Sequence, residues 1–384
     1  MRQVNMLALL IIVLPFLGSA SYGQSLEVTE LESLQSPELQ KEKRLWGAWS
    51  FGLFGQTFSD LTDSETYSSA RLNLKGGLNL LSDLKIKSEL SLVGASGFSQ
   101  ARFGKDSLAN GINIHEALVV LGEDRIAQLE AGIINQRFLQ SPLLVSSLPF
   151  PGIKGTLQYH NEYFRAGLRV QQAIPTSRTL DSQKRNEKEQ TPRFATESLF
   201  AEITPHDDFK ADVQVSRYRF KDLPSSVANN SRLLGNTVPF STAAQSSFLF
   251  DYEGMLYTAR ATQYIIDDTF ADLNLQLLEN SKAPTAFNRG FLAEGGLNFP
   301  ILSQMLRVGV TSFFNESDSS PAQYNSGRLG HNNMKGMSYS LAVYINQLFK
   351  IEAQFTDGQV ITPNLVNTNR QNFSLALETL YVEF

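Results

Sequence analysis

The sequence predicts an all-β fold, a transmembrane antiparallel up-and-down β-barrel of about sixteen strands. Three observations carry the prediction. The chain opens on an apolar export-type leader. From Trp46 onward apolar and polar residues alternate with a period of two. The connectors between the alternating segments are short and long by turns.

The leader, MRQVNMLALLIIVLPFLGSASYGQ, places Arg2 before an apolar stretch from Met6 to Leu17 and then small residues. That is the order of a signal peptide, with cleavage before Gln24 suited by Ser21 and Gly23, a cut after Ala20 being the alternative. No other stretch approaches the length of apolar helix that covers about 30 Å of hydrocarbon, so a membrane crossing must be made by strands. Residues 24–45 are polar, glutamate-rich and interrupted by Pro37, and read as a periplasmic extension before a barrel over 46–384.

Among the 384 residues 42% are hydrophobic, 18% are charged, and none is Cys. A disulfide scaffold, a thiolate zinc site and lipid attachment at Cys are thereby excluded. A net charge of -5 gives no basic excess for a phosphate backbone, so nucleic acid is not an expected partner.

Successive side chains of a strand point to opposite faces, so period two marks a strand with one apolar and one polar side. In RLNLKGGLNLL, Leu72, Leu74, Gly76, Leu78 and Leu80 share one face, and Arg71, Asn73, Lys75 and Asn79 the other. In LKIKSELSL, Leu84, Ile86, Leu90 and Leu92 oppose Lys85, Lys87, Glu89 and Ser91. The same pattern sets Phe164, Ala166, Leu168 and Val170 against Arg165 and Arg169, and Ala211, Val213 and Val215 against Lys210, Asp212 and Gln214. Late segments repeat it around Arg307, Ser340 and Lys350 with Glu352. A soluble sandwich also alternates, but many of these segments reach about ten residues, the length that crosses a bilayer at a tilt.

Short links are expected at 81–83, 122–125, 161–162, 205–208, 253–254, 300–303 and 347–348. Longer polar links are expected at 59–66, 97–110, 138–153, 175–193, 221–241, 267–287, 315–334 and 358–370. Short periplasmic turns alternating with long external loops string an outer-membrane barrel. The segment 270–281 reads as either a hairpin strand or a short loop helix.

The last strand ends LETLYVEF, with Leu380 and Val382 in register before Phe384. This resembles the closing signal of outer-membrane barrels, which implies the barrel-assembly machinery and outer-membrane lipids as partners. Glu378 departs from the apolar parity, so either a bulge falls there or the position meets water.

From Trp46 to Phe384 the pattern of segments resembles the general-porin architecture. The resemblance implies a passive channel for small hydrophilic solutes, commonly a homotrimer, with no cofactor. It also implies that the third external link, FLQSPLLVSSLPFPGIKG, folds into the barrel, the alternatives being an ordinary external loop or one that makes a subunit contact. Pro149, Phe150, Pro151 and Gly152 are then candidates for a constriction, although the link lacks an acidic residue.

Assigning the polar parity to the lumen places Arg71, Lys75, Lys85, Lys87, Arg165, Arg169, Lys210, Arg260, Arg307 and Lys350 inside. The opposing acids are Glu89, Glu130, Glu202, Asp212, Asp251, Glu294 and Glu352. A small basic excess along a narrow path attracts anions, though neighbouring opposite charges cancel much of the field.

Catalysis is not expected. A hydrolase needs a nucleophile, a base in hydrogen-bond reach and an orienting group, and only His115, His160, His206 and His331 are available as histidine bases. His331, in GRLGHNNMKG, is similar to the His and Asn neighbourhood of the outer-membrane phospholipase, but no Ser stands two positions on. No metal site is expected either. His115 and Glu116 are adjacent and should face opposite ways, and Asp267, Asp268 and Asp272 lack calcium-loop spacing. The competing reading is a non-conducting barrel, an adhesin, receptor or structural protein, that works through external loops such as the charged stretch 178–193.

Overall fold

The computed structural model describes residues 44–59, 64–100, 110–123, 126–177, 189–206, 208–239, 245–266, 268–346, 348–363 and 368–383. The leader, nearly all of the 24–45 extension and Phe384 lie outside the described residues, as do Asp267 and most of the charged stretch 178–193.

Period-two segments pair with their chain neighbours into one closed antiparallel barrel of 16 strands in up-and-down order. The strands are β1 (Leu45–Ser59), β2 (Ser64–Leu81), β3 (Leu84–Gln100), β4 (Gly111–Glu123), β5 (Ala127–Asn135), β6 (Pro149–His160), β7 (Phe164–Ala173) and β8 (Arg193–His206). They continue as β9 (Phe209–Lys221), β10 (Tyr252–Ile266), β11 (Thr269–Asn280), β12 (Arg289–Ile301), β13 (Gln304–Asn315), β14 (Met334–Ile345), β15 (Phe349–Val360) and β16 (Arg370–Thr379). Closure comes from β1 against β16, with Gly52 opposite Glu378 and Phe58 opposite Asn372. Closure satisfies every strand edge, the condition for sheet in a medium that offers backbone no hydrogen bonds.

The final strand is bent. After Thr379 the ladder breaks at Leu380 and Tyr381 and resumes as a two-residue continuation, Val382–Glu383, paired with Ala48 and Trp49. The break therefore falls two residues beyond Glu378, and Glu378 itself is a buried, inward-facing residue. One extra residue stands between Glu378, opposite Gly52, and Val382, opposite Trp49, and this shift brings the Tyr381 ring inside, 5.3 Å from Lys75 Nζ.

The outer face is apolar. Leu53, Leu74, Ile86, Leu121, Leu129, Leu157, Leu199, Val213, Leu277, Leu341 and Leu377 are all exposed large side chains on outward positions. Tyr159, Tyr163, Phe164 and Phe349 stand near the short-turn end, and Phe98, Phe287 and Phe291 near the long-loop end. A band of aliphatics flanked by aromatic residues is the outer surface of a membrane barrel.

Two expected links are placed differently. Glu253 and Gly254 form no turn but lie within β10, where Gly254 stands opposite Tyr218 on one side and Asn280 on the other. A Cβ at Gly254 would strike the carbonyl of Glu279, so this glycine permits close strand approach. The hairpin comes later, at Ile266 and Thr269, and residues 269–280 are strand β11. The long link expected at 267–287 shrinks to the segment between Asn280 and Arg289.

Candidate functional site: the barrel lumen

The lumen is built from every second residue of each strand, so its lining follows from parity once the register is known. Side-chain contacts fix that parity independently. Asn73 Nδ2 donates to Ser50 Oγ at 2.9 Å, and the Arg71 guanidinium carbon lies 5.0 Å from the Phe54 ring centre. Both pairs lie inside, with Leu72 and Leu74 outside.

Opposite charges pair across this inner surface. Lys154 meets Glu130 at 2.7 Å, Arg260 meets Asp212 at 3.0 Å, and Arg307 meets Asp272 at 2.8 Å and Glu294 at 3.5 Å. Glu202 takes both Lys210 at 2.8 Å and Arg165 at 3.8 Å, while Lys350 meets Glu352 at 2.5 Å. Lys85 and Lys87 share the inner parity of β3 with Glu89, and Lys75 stands opposite Glu89 in the ladder. The structure adds inward charges that segment-by-segment reading missed: Glu116, Arg137, Lys154, Asp272, Arg370 and Glu378. It moves Asp251 out of this set, to an exposed position before β10.

His115 and Glu116 do not face opposite ways. Glu89 pairs with Glu116 and Leu90 with Ile114, so a β-bulge leaves His115 as the extra residue. Both side chains then turn inward. His115 Nε2 lies 2.8 Å from Ser91 Oγ, and Glu116 reaches Arg137 at 3.5 Å. A bulge is the one strand feature that lets two consecutive residues share a face.

Residues 136–148, between β5 and β6, lie inside the barrel. The segment begins as a single 3-10 turn, Gln136–Leu139, whose preceding residue Asn135 accepts the Arg137 amide on its side chain. Arg137 Nη2 bonds Glu89 at 2.9 Å, tying the start of the loop to β3. The loop then crosses to β11, where Gln276 Nε2 donates to the Gln140 carbonyl at 2.7 Å. Leu139, Leu143, Leu144 and Val145 are buried in a cluster with Phe150, Phe194, Tyr218, Phe220, Leu256, Leu278 and Leu292 from the facing strands. Pro149, Phe150, Pro151 and Gly152 are not part of the crossing segment but form the start of β6. Pro149 is the first residue of that strand, where its missing N–H costs least, and Phe150 is fully buried on the inner side.

Two further loops fold over this one. The β9–β10 loop carries a short helix, α1 (Ser225–Leu233), and contributes Val227 to the same cluster; the β13–β14 loop contributes Tyr324 and Leu329. Ser320 Oγ donates to the Leu143 carbonyl at 2.7 Å and the Ser146 amide to the Tyr324 carbonyl at 2.8 Å. The two covering loops are themselves joined by Asn236, whose Nδ2 lies 2.6 Å from the Ser317 carbonyl and 2.8 Å from Tyr252 Oη. Asp318 accepts the Thr237 amide at 3.0 Å, and burial pushes its carboxyl above the ordinary range.

His331 sits in this loop assembly, not beside a nucleophile. Its Nδ1 lies 3.0 Å from the Ala322 carbonyl and 2.9 Å from Asn325 Oδ1. Burial first, and the Arg370 charge second, hold its pKa down to about 3. The imidazole is neutral near pH 7 and serves as a structural pin. Asp272, expected near Asp267 and Asp268 in a loop, belongs to β11 and pairs with Arg307. Among the described residues no group of three or more His, Asp or Glu is arranged to hold a metal ion.

No protein-family model matches the chain, and no curated protein matches it. Solved structures do. OmpF of Salmonella typhi, in complex with daunomycin, superposes with a TM-score of 0.51 at 10% identity, over 88% of this chain and 97% of its own. OprB of Pseudomonas putida at high pH gives 0.51 at 9% identity, over 88% and 94%. OmpT with loop L8 deleted, an outer membrane protein of Vibrio cholerae, gives 0.50 at 10% identity, over 88% and 100%. At this identity the likeness is one of fold, and the chain has the porin-like, sixteen-strand architecture.

Proposed function

We propose that the protein is an outer-membrane diffusion pore for small hydrophilic solutes or ions. The observation that carries the reading is the asymmetry of the lumen. Residues 136–148 and their two covering loops pack an apolar cluster against β6 to β14. The inner face of β1 to β4 and β15 to β16 instead carries partly exposed charged side chains, among them Lys75, Lys85, Lys87, Glu89 and Arg370. A charged, hydratable wall opposite a folded-in loop suits a narrowed aqueous path. In this reading residues 1–23 are the removed export signal, the short turns face the periplasm, and the lateral apolar band faces lipid.

Insertion of the refolded protein into a planar lipid bilayer should produce discrete, voltage-independent conductance steps. Silent insertion, with barrel content verified by circular dichroism, would overturn the reading. The extent of the apolar cluster inside the barrel favours a second reading, a plugged barrel that works through its external loops, and silence in this assay is the result that reading expects.

A further inference from the structure

Between β5 and β13 the inward-facing cations Lys154, Arg165, Lys210, Arg260 and Arg307 each have a carboxylate within 4 Å. Arg169 on β7 does not, among the described residues. Its polar contacts are two, both from Nη1 and both long: the Phe138 carbonyl at 3.4 Å and Gln214 Oε1 at 3.4 Å. A guanidinium has five N–H donors in a rigid fork, so most of its hydrogen-bonding capacity is not taken by protein acceptors.

What holds Arg169 is aromatic. Its guanidinium carbon lies 4.7 Å from the centre of the Phe200 ring and 5.1 Å from that of Phe138. Arg165 stacks on the same Phe200 at 5.7 Å, and Lys154 on the same Phe138 at 4.8 Å. The result is a column, Arg165, Phe200, Arg169, Phe138, Lys154, in which three cations alternate with two rings. Its outer cations pair with Glu202 and Glu130, leaving the central one with no carboxylate in direct contact among the described residues. Phe138 belongs to the folded-in loop and Phe200 to β8, so the column stands where the loop meets the wall. Arg169 is partly exposed.

We propose that Arg169 is an oxyanion-binding site within the lumen, fitted to carboxylates and phosphate monoesters by its unfilled donor fork, and held in place by Phe138 and Phe200. The site relies on the pore reading only for how an anion arrives, so binding is tested apart from conduction. Full-length protein refolded in detergent is titrated calorimetrically with inorganic phosphate at low ionic strength. The wild type should bind one phosphate per barrel. Arg169→Gln should weaken that binding about tenfold or more, as expected for loss of a charge-assisted contact. Arg217→Gln, on the outer face of β9 and paired there with Glu253, should leave it unchanged.

Equal phosphate affinity in the wild type and Arg169→Gln, or no binding by a folded wild type, would overturn the proposal. In bilayers Arg169→Gln should also lower the ratio of chloride to potassium permeability, and an unchanged ratio counts against the site. A barrel that binds phosphate through Arg169 but never conducts would leave the site standing and remove the pore reading. A conducting barrel with no phosphate affinity would do the reverse.

Discussion

Leu143 and Leu144 offer the sharpest way to separate the folded-in loop from the barrel that holds it. Their side chains are 1% and 0% exposed, and both lie in the apolar cluster against β8 to β12. Truncating a buried Leu to Ala costs about 2–5 kcal/mol, so Leu143→Ala with Leu144→Ala removes roughly 4–10 kcal/mol of loop docking. Polar anchors of the segment are Arg137 to Glu89, Gln136 to Gln171, Gln140 to Gln276, Pro142 to Ser326, Leu143 to Ser320 and Ser146 to Tyr324. At a net of about 1 kcal/mol each, they sum to no more than about the loss itself, so the loop is only marginally docked without the two leucines. The strand ladder is untouched, because neither residue pairs with a strand. The double variant should therefore fold and keep its resistance to heat in detergent, while its single-channel conductance rises and becomes noisy as the loop leaves the wall. An unchanged, quiet conductance in a folded double variant would refute the argument that residues 136–148 shape the path.

Three further outcomes follow from the same geometry. Arg137→Ala strips Glu89 and Glu116 of their cation, so reversal potentials in a salt gradient should shift toward cations. The guanidinium is one-third exposed, so the stability loss should be modest, near 1 kcal/mol. Gly132→Ala should lower the temperature of unfolding in detergent by a cost of about 1–3 kcal/mol, since φ is +135° there and a Cβ would meet the Ala117 carbonyl. His331 is held near a pKa of about 3 against 6.5 for the free imidazole, so below pH 6.5 the unfolded chain binds the extra proton. Loop stability is then complete above that pH and is lost as pH falls toward 3, by ~5 kcal/mol at most. Asp318, with its pKa raised by burial, acts with the opposite sign, its cost being relieved as pH falls through its folded pKa toward the ordinary carboxyl value. Hydrogen exchange in residues 316–333 should accelerate between pH 6.5 and 4, and His331→Gln should flatten that dependence.

The barrel was legible because a membrane strand writes its two environments into alternate residues. Leu72 and Leu74 against Arg71 and Asn73 needed no further information, and from such segments the inward parity of Lys85, Lys87, Arg165, Lys210, Asp212 and Arg307 follows. Legibility failed where one residue changes the phase. The bulge at His115 leaves no compositional mark, and it alone turns His115 and Glu116 to the same side. Gly254 looks like a turn residue, yet its lack of a Cβ serves strand packing in β10. Asp272 could have been recovered, since Asp272, Asn274 and Gln276 alternate with Leu273, Leu275 and Leu277, but the acidic pair before it suggested a loop.

The lumen's contents were the least legible part. Period two says which residues face inward, but not which inward residues are covered by a loop. Leu143 and Leu144 read as unusually apolar for an external link, and the physical reason is that the link is internal. Arg137 was passed over because it precedes the link's apolar run, and its role emerges only from the carboxylates that β3 and β4 bring to it.

The central claim, a water-filled path past the folded-in loop, is tested most directly by swelling of liposomes carrying the refolded protein in isotonic sugars of graded size. The account predicts rapid swelling in the smallest sugars, with rates that fall steeply as solute size rises, and a shallower fall for the Leu143→Ala, Leu144→Ala variant. Swelling no faster than that of protein-free liposomes, for a protein shown to be folded and inserted, would contradict it.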